Sequence, residues 1–281
     1  MNYNFKPFEE LEFSDDWMFK KVMENKEICK KVIERLLNIQ VADITYPELD
    51  KTISPYYMSK GVRLDVYVKD SDRIFDLEMQ SYKEDNIGKR MRFYQSMIDT
   101  NSLLKGENYN DLKESYILFI CKQNPFKKSN LPVYTFRNIC SEDREIILND
   151  KSTKIVYNAS AYEDEKDPEL KAFLKYIDNE STGDDLTDVI SKIVAGIKQT
   201  ENNKEEYLAM NLHDYDVYRR GKDEGVQLGI AEGEISGAQK KALENAENFL
   251  KEGDSPEKIA RCIGLPLETV LELQKSLSVN S

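Results

Sequence analysis

Histidine is nearly absent from this chain: His213 is the one residue of its kind among 281. A zinc site built on several His ligands is therefore excluded. Any Ser-His-Asp or Cys-His mechanism would have to run through that single imidazole. His213 lies in Leu212-His213-Asp214-Tyr215 with no nucleophile motif beside it, so chemistry is expected to rest on carboxylates, hydroxyls or lysines. Cysteine is sparse as well. Cys29, Cys121, Cys140 and Cys262 are far apart and form no Cys-x-x-Cys pair, which argues against a disulfide framework. No run of about 18 uncharged apolar residues occurs, so no membrane-spanning helix is expected. Residues 1–7 lack the apolar centre of a secretory signal. These absences together point to a cytoplasmic protein. Positive charge is not in excess either: 40 Lys and Arg against 52 Asp and Glu give a net charge of −12. Over the whole chain that argues mildly against nucleic-acid binding, which needs local positive charge at the phosphates.

What is present is a patterned, globular sequence long enough for one sizeable domain and something small. Residues 14–38 read as a helix, with Ser14 as N-cap, Asp15 and Asp16 in the first turn, and Trp17, Met18, Val22, Ile28, Val32, Ile33 and Leu36 at helical spacing. Residues 42–57 are ambiguous, with strand-like Ile44, Tyr46 and Ile53 interrupted by Pro47 and Pro55. Residues 62–68 alternate as a strand does, 69–72 form a turn, and 73–80 form a second strand, making a hairpin. Residues 84–105 return to helical spacing and Gly106 supplies the stop. Residues 116–121 are a continuous apolar run, as in a strand buried on both faces. Shorter strand-like pieces follow at 133–139 and 153–158, then helices near 168–178 and 185–198. A helix between the hairpin and a further strand is a crossover, which predicts an α/β protein with a mixed sheet flanked by helices.

From 219 the composition changes. Gly221, Gly225, Gly229, Gly233 and Gly237 recur every four residues, and Leu228, Ile235, Ala242 and Phe249 every seven. This spacing predicts a long, glycine-weakened helix paired with a second copy of itself. A small helical hairpin closes the sequence, with Ser255-Pro256 as cap and first helical residue and Gly264 as the stop. Its second helix carries two Glu and one Lys, so protein packing fits it better than groove reading.

The chemistry concentrates in the hairpin. Ile74, Asp76, Glu78 and Gln80 share one face of the second strand. A turn at 69–72 sets Val68 opposite Arg73 and Asp65 opposite Asp76. Glu78 is then the diagonal neighbour of Asp65, within about 7–8 Å. Two carboxylates at that distance can share one cation, and oxygen donors without His or Cys favour Mg2+ or Mn2+. A hydrated ion there could activate water and bind a phosphoryl oxygen. Acidic residues on a hairpin are also commonly just solvated, and spacing alone leaves both readings open. Between 60 and 95 there are eight Lys and Arg against seven Asp and Glu, so the negative balance of the whole chain does not extend here. Lys89, Arg90 and Arg92 could clamp phosphates from a helix start or line a solvated face; Tyr94 reads as core.

Asp65 followed by Glu78-Met79-Gln80, inside helix–strand–hairpin–helix–strand order, resembles the PD-(D/E)XK nuclease core. More closely, the chain resembles the recombination-promoting nuclease (Rpn) family, whose members are also described as transposases. The matching pieces are residues 14–21, 63–66, 76–80, 89–94 and 105–109, together with the glycine-punctuated tail and the ending at 253–275. The resemblance implies a restriction-endonuclease-like core over 8–140, a mostly helical extension packed on it over 141–215, a glycine-punctuated helix or linker over 216–252, and a helical hairpin over 253–281. It implies a metal-dependent DNA endonuclease linked to recombination or transposition. Asp65, Glu78 and Gln80 would be catalytic, and Asp65, Glu78 and the Met79 carbonyl would hold Mg2+ or Mn2+. Asp15 or Asp16 would be an additional acid, Lys89, Arg90 and Arg92 would contact DNA phosphates, and 219–281 would serve a homo-oligomer. Gln80 stands where the wider nuclease pattern has lysine and cannot act as a base, though it can position water. The rival expectation is a nuclease-derived scaffold that binds DNA or protein without cutting.

Overall fold

The computed structural model describes residues 5–54, 61–83 and 85–279. Pro55, Lys60 and Glu84, which entered the strand and charge readings above, lie outside them, as do the first four residues. At the centre is a six-stranded sheet in the order β1-β2-β3-β4-β6-β5. Its strands are β1 (Glu48–Ile53), β2 (Val62–Lys69), β3 (Arg73–Gln80), β4 (Glu114–Cys121), β5 (Val133–Phe136) and β6 (Ser152–Asn158). β3–β4 and β4–β6 pair parallel and the other neighbours antiparallel. The parallel β3–β4 pair needs a crossover, and helix α3 (Ile87–Ser102) supplies it. The α/β class and the mixed sheet flanked by helices are thus as expected. The apolar run in β4 lies between two parallel neighbours, and Ile117 to Ile120 are fully buried.

Helix α3 covers one face, where Tyr67, Ile74, Ile117, Phe119 and Val156 pack with Ile87, Met91 and Ile98. Strand alternation sends Val66, Val68, Phe75 and Leu77 the other way. Helix α1 (Asp16–Met23) lies against β2 and β3. Helix α2 (Lys26–Leu37) accepts a hydrogen bond from the Tyr157 hydroxyl at its Leu36 carbonyl.

The structure corrects several boundaries. The single helix expected over 14–38 is two helices, because Asn25 accepts from the N–H groups of Glu27 and Ile28 and starts a new one. Ser14 is not a cap: it is buried, and its hydroxyl donates to Asn179. Helix α3 ends at Ser102 because Leu103 is extended (φ −117, ψ 118), and Gly106 (φ 97) belongs to the following turn. The ambiguous stretch becomes β1 just after Pro47. β6 lies within the sheet, beyond residue 140, and helices α4 (Pro168–Ile177) and α5 (Asp185–Lys198) follow it.

The described residues divide into two compact units, one up to Leu208 and one from Ala209 onward. Helix α6 (Glu201–Lys251) is 51 residues long and begins well ahead of the composition change at 219. In the second unit, α7 (Pro256–Ile263) starts at the Ser255 hydroxyl, which accepts from the Lys258 N–H, and stops at left-handed Gly264 (φ 79). Ala246, Ile259 and Val270 form a small core between α6, α7 and α8 (Leu267–Val279). Leu228, Ile235 and Phe249 are exposed. A Cβ added at Gly221, Gly225, Gly229, Gly233 or Gly237 would meet nothing within 4 Å. Gly229→Ala is therefore expected to stabilise α6 by about 1 kcal/mol, read as a higher melting temperature in far-UV circular dichroism. No helix among the described residues is long and apolar enough to cross a membrane.

Candidate active site

The hairpin closes more tightly than the turn chemistry suggests. Asp70 Oδ1 accepts from the N–H groups of Asp72 (3.0 Å) and Arg73 (2.7 Å), and its Oδ2 holds the Arg73 guanidinium. The Asp70 N–H donates to the Arg73 carbonyl, leaving Ser71-Asp72 as a two-residue loop. The resulting register pairs Val68 with Phe75, Tyr67 with Asp76 and Val66 with Leu77. The expected pairing of Val68 with Arg73, and so of Asp65 with Asp76, is off by two residues. A shift of two keeps every side chain on its face. It brings Glu78, not Asp76, directly opposite Asp65.

At that level the β2–β3 backbone ladder stops and the two carboxylates replace it. The Asp65 N–H donates to Glu78 Oε1 (2.9 Å), and the Met79 N–H donates to Asp65 Oδ2 (3.2 Å). Each acid is thus held by the other strand's backbone. Glu78 is 1% exposed and Asp65 9%. Burial, reinforced by the charge of Asp16 and opposed by Lys20, pushes the Asp65 carboxyl up to about 6. Burial, with the charges of Asp76 and Asp65, holds Glu78 well above the usual carboxylate range.

Two cations touch the Asp65–Glu78 pair, and a third, Arg63, meets Asp50 Oδ1 at 3.0 Å. Lys20, on α1, places Nζ 3.1 Å from Asp65 Oδ1, 2.9 Å from Asp16 Oδ2 and 2.8 Å from Asp50 Oδ1. Burial alone would lower its pKa, but the charges of Asp65 and Asp16 and the hydrogen bonds to Asp50 and Asp16 outweigh that and raise it. Arg90, on α3, donates to Gln80 Oε1 (2.7 Å) and Tyr94 Oη (3.0 Å) and sits 3.4 Å from Glu78 Oε2. Its guanidinium also lies over the rings of Tyr94 and Phe119. Because guanidinium only donates, Gln80 must turn its oxygen to Arg90; its Nε2 then reaches the Met79 carbonyl (2.9 Å).

Of the two N-terminal acids, Asp16 reaches the cluster through Lys20, whereas Asp15 pairs with Lys6 and accepts from the Glu12 N–H. Lys89 and Arg92 are exposed and line a surface hollow with Asp85, Asn86 and Gly88. Arg90 alone of the basic trio turns inward. His213 is exposed on α6.

Two residues of the cluster escaped the sequence reading, and the burial of a third, Asp76, was not foreseen. Lys20 is a salt-bridge partner of Asp16 by helical spacing, but nothing in that spacing points to β2. Asp50 adopts a left-handed backbone (φ 49) inside β1, which spacing does not reveal. Asp76, on the same face as Glu78, is fully buried, and neither carboxylate oxygen has a hydrogen-bond partner among the described residues. Burial and the charge of Asp65, against Arg90, raise its pKa well above the usual range.

Among the described residues no three His, Cys, Asp or Glu side chains converge as a preformed metal cage. The donor set nevertheless fits a hard divalent cation. Asp65, Glu78 and the Met79 carbonyl are all oxygen donors, and on the same face as Glu78 the buried Asp76 carboxyl has no hydrogen-bond partner among the described residues. Mg2+ characteristically takes one or two carboxylates and keeps water for the rest of its shell.

No curated protein and no solved structure matches this chain. Residues 13–218 match the model of a family described as PD-(D/E)XK nuclease family transposase. That match takes in every strand of the sheet and all of the acidic cluster, and the chain belongs to this family.

Proposed function

We propose that the chain is a divalent-metal-dependent DNA endonuclease in which Asp65, Glu78 and Gln80 are catalytic. The observation that carries this reading is the buried Asp65–Glu78 pair, each carboxylate fixed by a backbone N–H of the facing strand. Asp65, Glu78 and the Met79 carbonyl would hold Mg2+ or Mn2+. When bound, the ion would stabilise charge on the phosphoryl group and acidify a water. Gln80 cannot remove a proton, but Arg90 fixes its amide, so it can orient the attacking water. Asp16 acts through Lys20, while Asp15 ties down the N-terminal segment. Lys89 and Arg92 contact the DNA backbone. The exposed Leu228, Ile235 and Phe249 are the apolar positions through which 219–281 would pair two copies.

The test is nicking of supercoiled plasmid in Mg2+, Mn2+ and EDTA, with Asp65→Ala and Glu78→Ala alongside. Cleavage that needs both metal and carboxylates supports the reading; cleavage that survives both substitutions overturns the site. Lys89→Ala with Arg92→Ala should weaken DNA binding across all sequences and reduce the slope of log affinity against log salt by about 2. Fluorescence anisotropy over a salt series reads that slope. One observation favours a non-cutting scaffold instead: Lys20 and Arg90 already pair Asp65 and Glu78. Folded protein that binds DNA but does not nick it under any metal would establish that alternative.

A further inference from the structure

Lys20 is an unusual lysine. Its side chain is 8% exposed and is held by carboxylates from three separate elements, Asp16 on α1, Asp50 on β1 and Asp65 on β2. The oxygen it touches on Asp65 is Oδ1; Oδ2 is occupied by the Met79 N–H. Lys20 therefore covers the Asp65 oxygen that a divalent ion would use. The strand offers no ammonium of its own, because Gln80 stands at the third motif position and turns its oxygen to Arg90.

We infer that Lys20 supplies the positive charge that β3 lacks: it occupies Asp65 until a divalent cation takes that carboxylate, and then contacts the scissile phosphate. The inference rests on the nuclease reading above and adds a residue to it. A cation arriving at Asp65 repels the ammonium, but Asp16 and Asp50 remain to hold it beside the site. There it is the ammonium closest to any phosphoryl oxygen that the cation would recruit. The negative charge of Asp16 and Asp50 keeps Lys20 from being expelled into solvent, which gives the left-handed backbone of Asp50 (φ 49) a purpose.

The experiment compares wild type, Lys20→Met and Lys20→Arg by calorimetric titration with Mn2+, by the Mn2+-induced rise in melting temperature, and by plasmid nicking. Losing a competing charge at this distance should tighten Mn2+ binding by at least about tenfold in Lys20→Met. Cleavage should fall by about a hundredfold, and Lys20→Arg should restore part of it while binding Mn2+ as wild type does. A lysine that only neutralises Asp65 would tighten Mn2+ binding when removed but leave cleavage undiminished. The thermal shift guards against a Lys20→Met protein that is loose without metal, since tighter binding then appears as a larger Mn2+-induced shift. Mn2+ affinity in Lys20→Met equal to or weaker than wild type overturns the inference, as does tighter binding with undiminished cleavage. If wild type itself does not cleave, the nuclease reading fails, and the competition for Asp65 is still decided by the Mn2+ titrations.

Discussion

Plasmid incubated with a Glu78→Gln variant in Mg2+ is expected to remain supercoiled, with nicking reduced at least about a thousandfold. The variant should melt within a few degrees of wild type. Glutamine is isosteric with glutamate, and its Oε1 can still accept the Asp65 N–H that Glu78 now holds at 2.9 Å. Arg90 loses one ion-pair partner at 3.4 Å but keeps Gln80 and Tyr94. That loss is offset because one negative charge leaves a pocket where Asp65, Asp76 and Glu78 crowd together. What the variant cannot do is offer a second anionic ligand to a divalent ion. Glu78→Ala would be a poorer probe, since it orphans the buried Asp65 N–H, a defect of about 1–3 kcal/mol, and mixes loss of fold with loss of chemistry. Asp65→Asn should behave as Glu78→Gln does. Nicking by either isosteric variant within about tenfold of wild type would place the chemistry elsewhere in the molecule.

The alternation of residues 62–68 and 73–80 carried the hairpin, and the buried run at 116–121 carried the crossover, because period and burial are local properties of a strand. The partner of Asp65 was not legible in the same way. Register depends on how the turn closes, and here Asp70 spends its carboxylate on two N–H groups and the Arg73 guanidinium. A one-residue error would have sent Glu78 to the wrong face; the two-residue error left the face right and the neighbour wrong. The break at Asn25 was missed because the apolar spacing continues through it, whereas the cap that divides the helix is a single side-chain oxygen. Lys20 was hidden for a different reason. Its place in the cluster depends on a tertiary meeting with Asp50 and Asp65, and no spacing within 16–20 encodes that meeting. Ser255, Pro256 and Gly264 were legible because a cap, a first-turn proline and a left-handed stop act on their immediate neighbours.

Asp76→Asn is expected to make the cation-free protein more stable at pH 8, by about 1–3 kcal/mol, and to flatten its stability across pH 5 to 8. Asp76 is wholly buried and neither oxygen is hydrogen-bonded among the described residues, so the charged form is the costly one. Its pKa is raised in the folded protein by burial and by Asp65, and Glu78 and Asp65 are displaced the same way, Asp65 to about 6. An acid that holds its proton more tightly folded than unfolded contributes stability below the unfolded value of about 4. That contribution is lost as pH rises through the folded value. In EDTA, wild type should therefore weaken from pH 5 upwards, while Asp76→Asn, neutral throughout, should weaken less. Urea melts at pH 5 and 8 measure this directly, and parallel pH profiles for the two proteins would refute it. The same charge that costs stability in EDTA becomes favourable beside a divalent ion. Added Mn2+ at pH 8 should thus stabilise wild type more than Asp76→Asn, reversing part of the difference. On the proposed metal-dependent reading, a buried carboxylate that weakens the cation-free fold is the cost of drawing a cation to Asp65 and Glu78.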